Sequence, residues 1–186
     1  MPVLIEAIVC NVFGDFKVGD NTVYNADVLC ELINKNEDGV FNKIIVMQIA
    51  SIMEVAFAQI FYRARNFNVE GVPNISEDDR SSIADKQIDK LAVIIDNLRK
   101  YHILDEMGGD IYNELHKLRK YRNKIHIQSE IDIDGLPRDE LDLFNDELRD
   151  WAISLNWNIM NYLAQNYSRP QHIRGYVSPI NLPRLE

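Results

Sequence analysis

From Phe41 to Arg65 the chain contains neither glycine nor proline, and its apolar residues do not keep to one side. Ile44, Ile45, Val46, Met47, Ile49, Ile52, Met53, Val55, Phe57, Ile60 and Phe61 surround the axis that a helix of this length would have. A helix apolar on most sides is buried on most sides. Lys43, Gln48, Glu54 and Gln59 interrupt the run too often for a lipid-spanning segment, which needs about 18 residues with few or no charges. The segment therefore predicts the central helix of a bundle, and other helices must cover it.

Those helices are legible downstream. Ser76 followed by Glu77, Asp78 and Asp79 has the form of a capped helix start. Ala84, Ile88, Leu91, Ile95, Leu98 and His102 then recur at helical spacing and predict one amphipathic helix. Gly108-Gly109 breaks the chain, and Asp110 is a candidate cap for a helix reaching about Ile127. Asp132 to Gly135 reads as a loop. Pro137 sits where the first turn of a last helix tolerates it, and Leu141, Phe144, Leu148, Trp151, Leu155, Ile159 and Tyr162 line one side of that helix to about Asn166. Upstream, Val3 to Val12 is β-branched and apolar, compatible with a strand or a short buried helix. Gly19-Asp20-Asn21 signals a turn, followed by a short helix over 26–34. The prediction is an all-α fold, an up-and-down bundle of four to five helices with an irregular or short β N-terminal segment. Residues 1–40 form an extension packed on the bundle, 41–166 the helical domain, and 167–186, with Pro170, Gly175, Pro179 and Pro183, an extended tail.

Charge and cysteine content narrow the function. The 186 residues carry 20 Lys plus Arg against 29 Asp plus Glu, a formal charge of −9. Such a balance argues against coating duplex DNA or an anionic membrane by bulk charge. Cys10 and Cys30 are far apart and outside any C-x-x-C pattern, so neither a disulfide scaffold nor a cysteine-rich zinc module is expected. Met1 to Glu6 lacks a basic region and has an acid in its apolar run, unlike a secretion signal, so a cytoplasmic protein is expected.

The segment 110–127 carries the candidate chemistry. Its core stripe is Ile111, Leu115, Leu118, position 122 and Ile125, yet position 122 is Arg122. An arginine aimed at a helix seam needs a carboxylate, a phosphate or another chain. One residue further round lie Tyr112, His116, Arg119, Asn123 and His126, all able to hydrogen-bond and on one face by spacing. Residues 116–126 hold five basic residues and no acid, so this +5 island sits in a remainder of −14 (−9 − 5). A basic island in an acidic chain favours a local anion site. Lys117, Lys120 and Lys124 read most simply as a solvated face, basic residues late in a helix offset its dipole, and His126 would serve equally as a C-terminal cap. Arg122 would serve equally as the structural partner of Glu54, the one acid inside the apolar central helix.

The run Leu118-Arg119-Lys120-Tyr121-Arg122-Asn123-Lys124-Ile125-His126, after a long apolar helix, resembles the motif of the HEPN superfamily. These are helical domains of prokaryotic toxins, defence nucleases and nucleotide-binding proteins. Their motif is an arginine, often followed by a polar residue, then four to six residues and a histidine. Arg119 leaves six residues before His126 but is followed by Lys120. Arg122 is followed by Asn123 but leaves three. The resemblance implies a metal-independent endoribonuclease of a toxin–antitoxin or defence system, working as a homodimer with both motifs at the seam. It implies His126, Arg119, Arg122 and Asn123 as catalytic residues, with His116, Tyr112 and Lys120 contacting ligand. An antitoxin protein and RNA or a nucleotide are the implied partners. Histidine titrates near neutrality and serves either proton role, while arginine is a fixed phosphate donor. A two-fold pairing would bring two His126 side chains to one site.

Other chemistries find less in this sequence. His116 and His126 are too far apart on a helix, roughly 15 Å, to share a metal. No H-E-x-x-H, Walker, G-x-G-x-x-G or G-x-S-x-G motif is present. Neither metal, cofactor nor membrane is expected. The alternatives to a nuclease are a catalytically silent domain of the same shape that binds nucleotide, RNA or protein, and a purely structural bundle.

Overall fold

The computed structural model describes residues 2–67, 71–124, 137, 139–170 and 179–186. Among them are strand β1 (Val3–Ile8), helices α1 (Phe16–Asn34), α2 (Asn42–Asn66), α3 (Glu77–Ala84), α4 (Leu91–Lys100), α5 (Ile111–Asn123), α6 (Glu140–Leu143) and α7 (Asp146–Asn166), and strand β2 (Ile180–Leu185). The fold is mainly α, with one two-stranded antiparallel sheet joining the two ends of the chain.

The long helix is where its composition puts it. α2 is contacted by α1, α3, α4, α5 and α7, and its residues from Ile45 to Ala64 are mostly buried. It is long and apolar enough to cross a membrane by length and composition, yet two thirds of that apolar window (67%) is enclosed by the rest of the protein. That burial is what a core helix needs. One hydrophobic cluster runs from Ile8 through α2 to Leu182, so the strands, α1 and the bundle share a single interior.

Three local readings need correction. The turn expected at Gly19-Asp20-Asn21 is helical: Asp15 accepts from Lys17 N at 2.9 Å and starts α1 there, and buried Gly19, Thr22, Ala26, Leu29 and Cys30 make one narrow face. The helix from Ser76 to His102 is two helices. Ser76 does cap the first, accepting from Asp79 N at 3.1 Å. That helix stops because Arg65 of α2 takes the carbonyls of Ile83 and Lys86. The last helix is also broken. Asn145 accepts from Leu148 N at 2.9 Å and begins α7 anew, which leaves Leu141 on α6 at 85% exposure and not on the apolar face. Of the two forms left open for Val3 to Val12, the segment opens as a strand, the short β N-terminal segment of the expected fold. The loop expected at 132–135 falls outside the described residues.

Hydrogen bonds to backbone clasp the segment after β1 to the bundle. Gln59 accepts from Gly14 N at 3.0 Å and Asp15 N at 2.8 Å. Buried Arg63 donates to the carbonyls of Val12 and Tyr167. Gly14 permits this approach, because a Cβ there would lie 2.8 Å from Arg63 Cγ. Cys10 and Cys30 are both free and buried. Burial pushes their thiols up, to about 12 and about 11 respectively.

Candidate functional site on the fifth helix

α5 begins after a glycine with no alternative: Gly108 has φ +105°, a conformation that side chains rarely adopt. Asp110 precedes the helix, but its side chain caps no backbone N–H. It accepts from Asn113 Nδ2 at 3.1 Å instead. The described helix runs to Asn123, and Ile125 to Gly135, with the end expected at Ile127, lie outside the described residues. His126 is among them. Ile111, Tyr112, Leu115, Leu118 and Tyr121 are buried and fix the rotation of α5 against α2 and α4.

That rotation settles the two arginines differently. Arg122 points along the core seam to α2, and its Nη2 lies 2.6 Å from Glu54 Oε2. The acid side chain is 17% exposed and the arginine 38%. The out-of-place cation and the single acid of the central helix therefore satisfy one another. Arg119 has no carboxylate partner among the described residues. Its Nε is buried and has no hydrogen-bond partner among the described residues. A guanidinium keeps its charge at any working pH, so a half-buried one without a carboxylate partner remains available to an anion.

The second stripe faces α4. Tyr112 is buried, donates to Asp105 Oδ1 at 2.6 Å and accepts from Leu104 N at 3.1 Å. Its hydroxyl holds the turn between α4 and α5 and is not presented to a ligand. Burial, then the bond to Asp105, raises its pKa. Tyr112's bond, then that from His102, lowers the Asp105 pKa. His116 Nε2 lies 3.4 Å from Asp96 Oδ1. Burial lowers the His116 pKa, with Arg119 and Arg99 acting the same way against Asp96. That influence also places Arg119 in the electrostatic neighbourhood of His116. Lys120 is exposed. Asn123 is half-buried and makes no side-chain hydrogen bond among the described residues. Lys117 lies over the Trp151 ring at 4.5 Å. Lys124, expected on the solvated face, is buried.

Three residues beyond those expected join this surface. Arg99 stacks over the Tyr112 ring at 5.1 Å, and Asp96 meets His116. His102, expected at the end of an apolar stripe, lies beyond the end of α4 with an exposed side chain bonded to Asp105 at 2.7 Å. Its φ is +55°. The Ile103 N to Leu98 O bond at 3.0 Å closes the turn around it, so the left-handed conformation is a helix C-cap. The His102–Asp105 spacing of three was the available signal. No group of three or more metal-ligating side chains converges among the described residues. No protein-family model, no curated protein and no solved structure matches the chain.

Proposed function

We propose that this chain is a HEPN-like domain that cleaves RNA without a metal, with Arg119 as the phosphate-binding arginine and His126 as the proton-transfer group. The observation that carries the assignment of roles is the Arg122–Glu54 pair at 2.6 Å, which occupies one candidate arginine and leaves Arg119 without a carboxylate partner among the described residues. Arg119 also has the longer spacing to His126, six intervening residues. Arg122 is then a positioning residue that locks α5 onto α2.

The chemistry asks for few groups. A base removes the proton from the 2′-hydroxyl, which attacks the adjacent phosphorus. The P–O5′ bond breaks, and an acid returns a proton to the leaving oxygen. Arg119 stabilises the charge on the phosphoryl oxygens throughout. One histidine per chain serves one proton role at a time, so two copies meeting at α5 would supply the base and the acid together. The setting this reading implies is a cytoplasmic toxin–antitoxin or defence system with a protein antitoxin.

The test is cleavage of a mixed single-stranded RNA in EDTA. Cleavage by the native chain, lost in His126→Ala with an unchanged circular dichroism melt, supports the reading. Intact RNA at high protein concentration refutes it. A second reading is a silent domain that binds RNA, nucleotide or protein. It draws support from the basic island of residues 116–126, which needs no proton-transfer group to hold an anion. RNA bound but never cut would favour it.

A further inference from the structure

The small sheet has an open edge, and its register says which groups face outward. β1 reads Val3-Leu4-Ile5-Glu6-Ala7-Ile8, and among the described residues it pairs with β2 alone. Val3 lies opposite Leu185, Ile5 opposite Pro183 and Ala7 opposite Asn181. One step further out, Glu186 N donates to Pro2 O at 3.3 Å. Bonding alternates residue by residue along an antiparallel ladder. Leu4, Glu6 and Ile8 therefore exchange bonds with β2, like Pro2, whereas Val3, Ile5 and Ala7 turn their N–H and C=O groups outward. Pro183 agrees with this phase, because it has no N–H and lies opposite an outward-facing residue, where none is needed.

Among the described residues, little beyond the single charge of Glu6 blunts this edge. From Val3 to Ile8 there is no proline, lysine or glycine, and Leu4 and Ile5 are 48% and 41% exposed. An apolar, β-branched strand with free ladder groups is a template for another strand. We propose that it pairs antiparallel with the same edge of a second copy, building a continuous four-stranded sheet in the order β2-β1-β1-β2 across a two-fold axis.

The strand is its own complement. With the axis at Ile5, Val3 meets the partner's Ala7 and Ile5 meets the partner's Ile5, so every outward N–H and C=O of the strand is paired. The same register sets Leu4 opposite the partner's Glu6. Glu6 is the one charge on the strand and already lies 2.8 Å from Arg184. The two-fold register does not oppose it with its own copy, so no like charges face each other. Such an isologous contact closes at two copies. A six-residue strand is only about 20 Å long, so the contact falls at the small end of specific interfaces and the dimer is concentration-dependent. It does not rest on the RNA reading: the sheet packs on α1 and α7, and α5 packs on α2 and α4.

The test is cysteine cross-linking of the full chain, whose own Cys10 and Cys30 are buried. Opposed residues of a bonded antiparallel pair have Cα atoms about 5.5 Å apart, within disulfide reach. Under mild oxidation Ile5→Cys should form a covalent dimer, while Ala7→Cys, four residues away from its own copy in this register, should not. In sedimentation equilibrium the native chain should show a dimer fraction that rises with concentration. Ile5→Pro removes an outward N–H and no bond to β2, so it should weaken association relative to the native chain while leaving any contact at α5 untouched. A native chain that is monomeric at the highest concentration overturns the proposal. So does an Ala7→Cys chain that cross-links as well as Ile5→Cys, or an Ile5→Pro chain that associates as strongly as the native one.

Discussion

Replacing Arg122 by alanine removes one partner of a contact at 2.6 Å and leaves Glu54, 17% exposed, on the wall of the central helix without a counterion. Two unit charges at such a distance attract by about 4 kcal/mol or more at an effective dielectric constant of 20. Two effects reduce that figure. Arg122 is 38% exposed, so water screens its side of the pair, and forming the pair already cost both groups part of their hydration. What remains is mainly the penalty of an unpaired, poorly solvated carboxylate, about 1–2 kcal/mol. For a chain of this size that lowers the melting temperature by about 2–8 °C. The assay is thermal unfolding of four proteins: native, Arg122→Ala, Glu54→Gln and the double variant. If the two groups are coupled, Glu54→Gln added to Arg122→Ala recovers much of the loss, because no orphan charge is left. An Arg122→Ala protein that melts within a degree of native, or losses that simply add, would refute the assignment of Arg122 to the fold.

Two further outcomes follow from local geometry. His102 caps α4 with φ +55°, where glycine is unstrained and alanine is not, so His102→Gly should melt about 2–4 °C above His102→Ala, and equal melting temperatures would contradict the cap. The buried thiols give a pH dependence of known sign. Unfolded cysteines ionise near pH 8.5, whereas Cys30 and Cys10 hold their protons to about 11 and about 12, and burial raises Tyr167 as well. The unfolded chain therefore loses protons first, and stability present below pH 8.5 falls as the pH rises toward 11. Urea midpoints that are flat from pH 7.5 to 10.5, or thiols that react with a reagent in the native protein at pH 8, would contradict this.

The parts of the molecule legible in the sequence are those set by local pattern. α2 could be read because no glycine or proline interrupts it and its apolar residues leave no solvent face. Arg122 and Glu54 could be paired because each is the odd residue in its own stripe. α1 was harder: its buried face is built from Gly19, Thr22 and Ala26, whose small side chains carry little hydrophobic signal, and Gly19-Asp20-Asn21 mimics a turn. The breaks in the third and last predicted helices come from elsewhere, one from Arg65 reaching across from α2 and one from Asn145 competing as a cap. Helical spacing drew His102 into an apolar stripe that the chain leaves by a C-cap. The β1–β2 pairing joins residues at opposite ends of the chain, and no periodicity in either segment announces the other.

The division of labour between the two arginines is the central claim. It is tested most directly by RNA cleavage in EDTA, measured per folded molecule, for Arg119→Ala and Arg122→Ala side by side. Arg119→Ala should lose about 100-fold or more of the rate, the cost of removing one phosphoryl donor, with its melting temperature unchanged. Arg122→Ala should keep its rate within a few-fold while melting earlier. An Arg119→Ala protein that cleaves like native, or an Arg122→Ala protein that folds normally and is silent, would contradict the account.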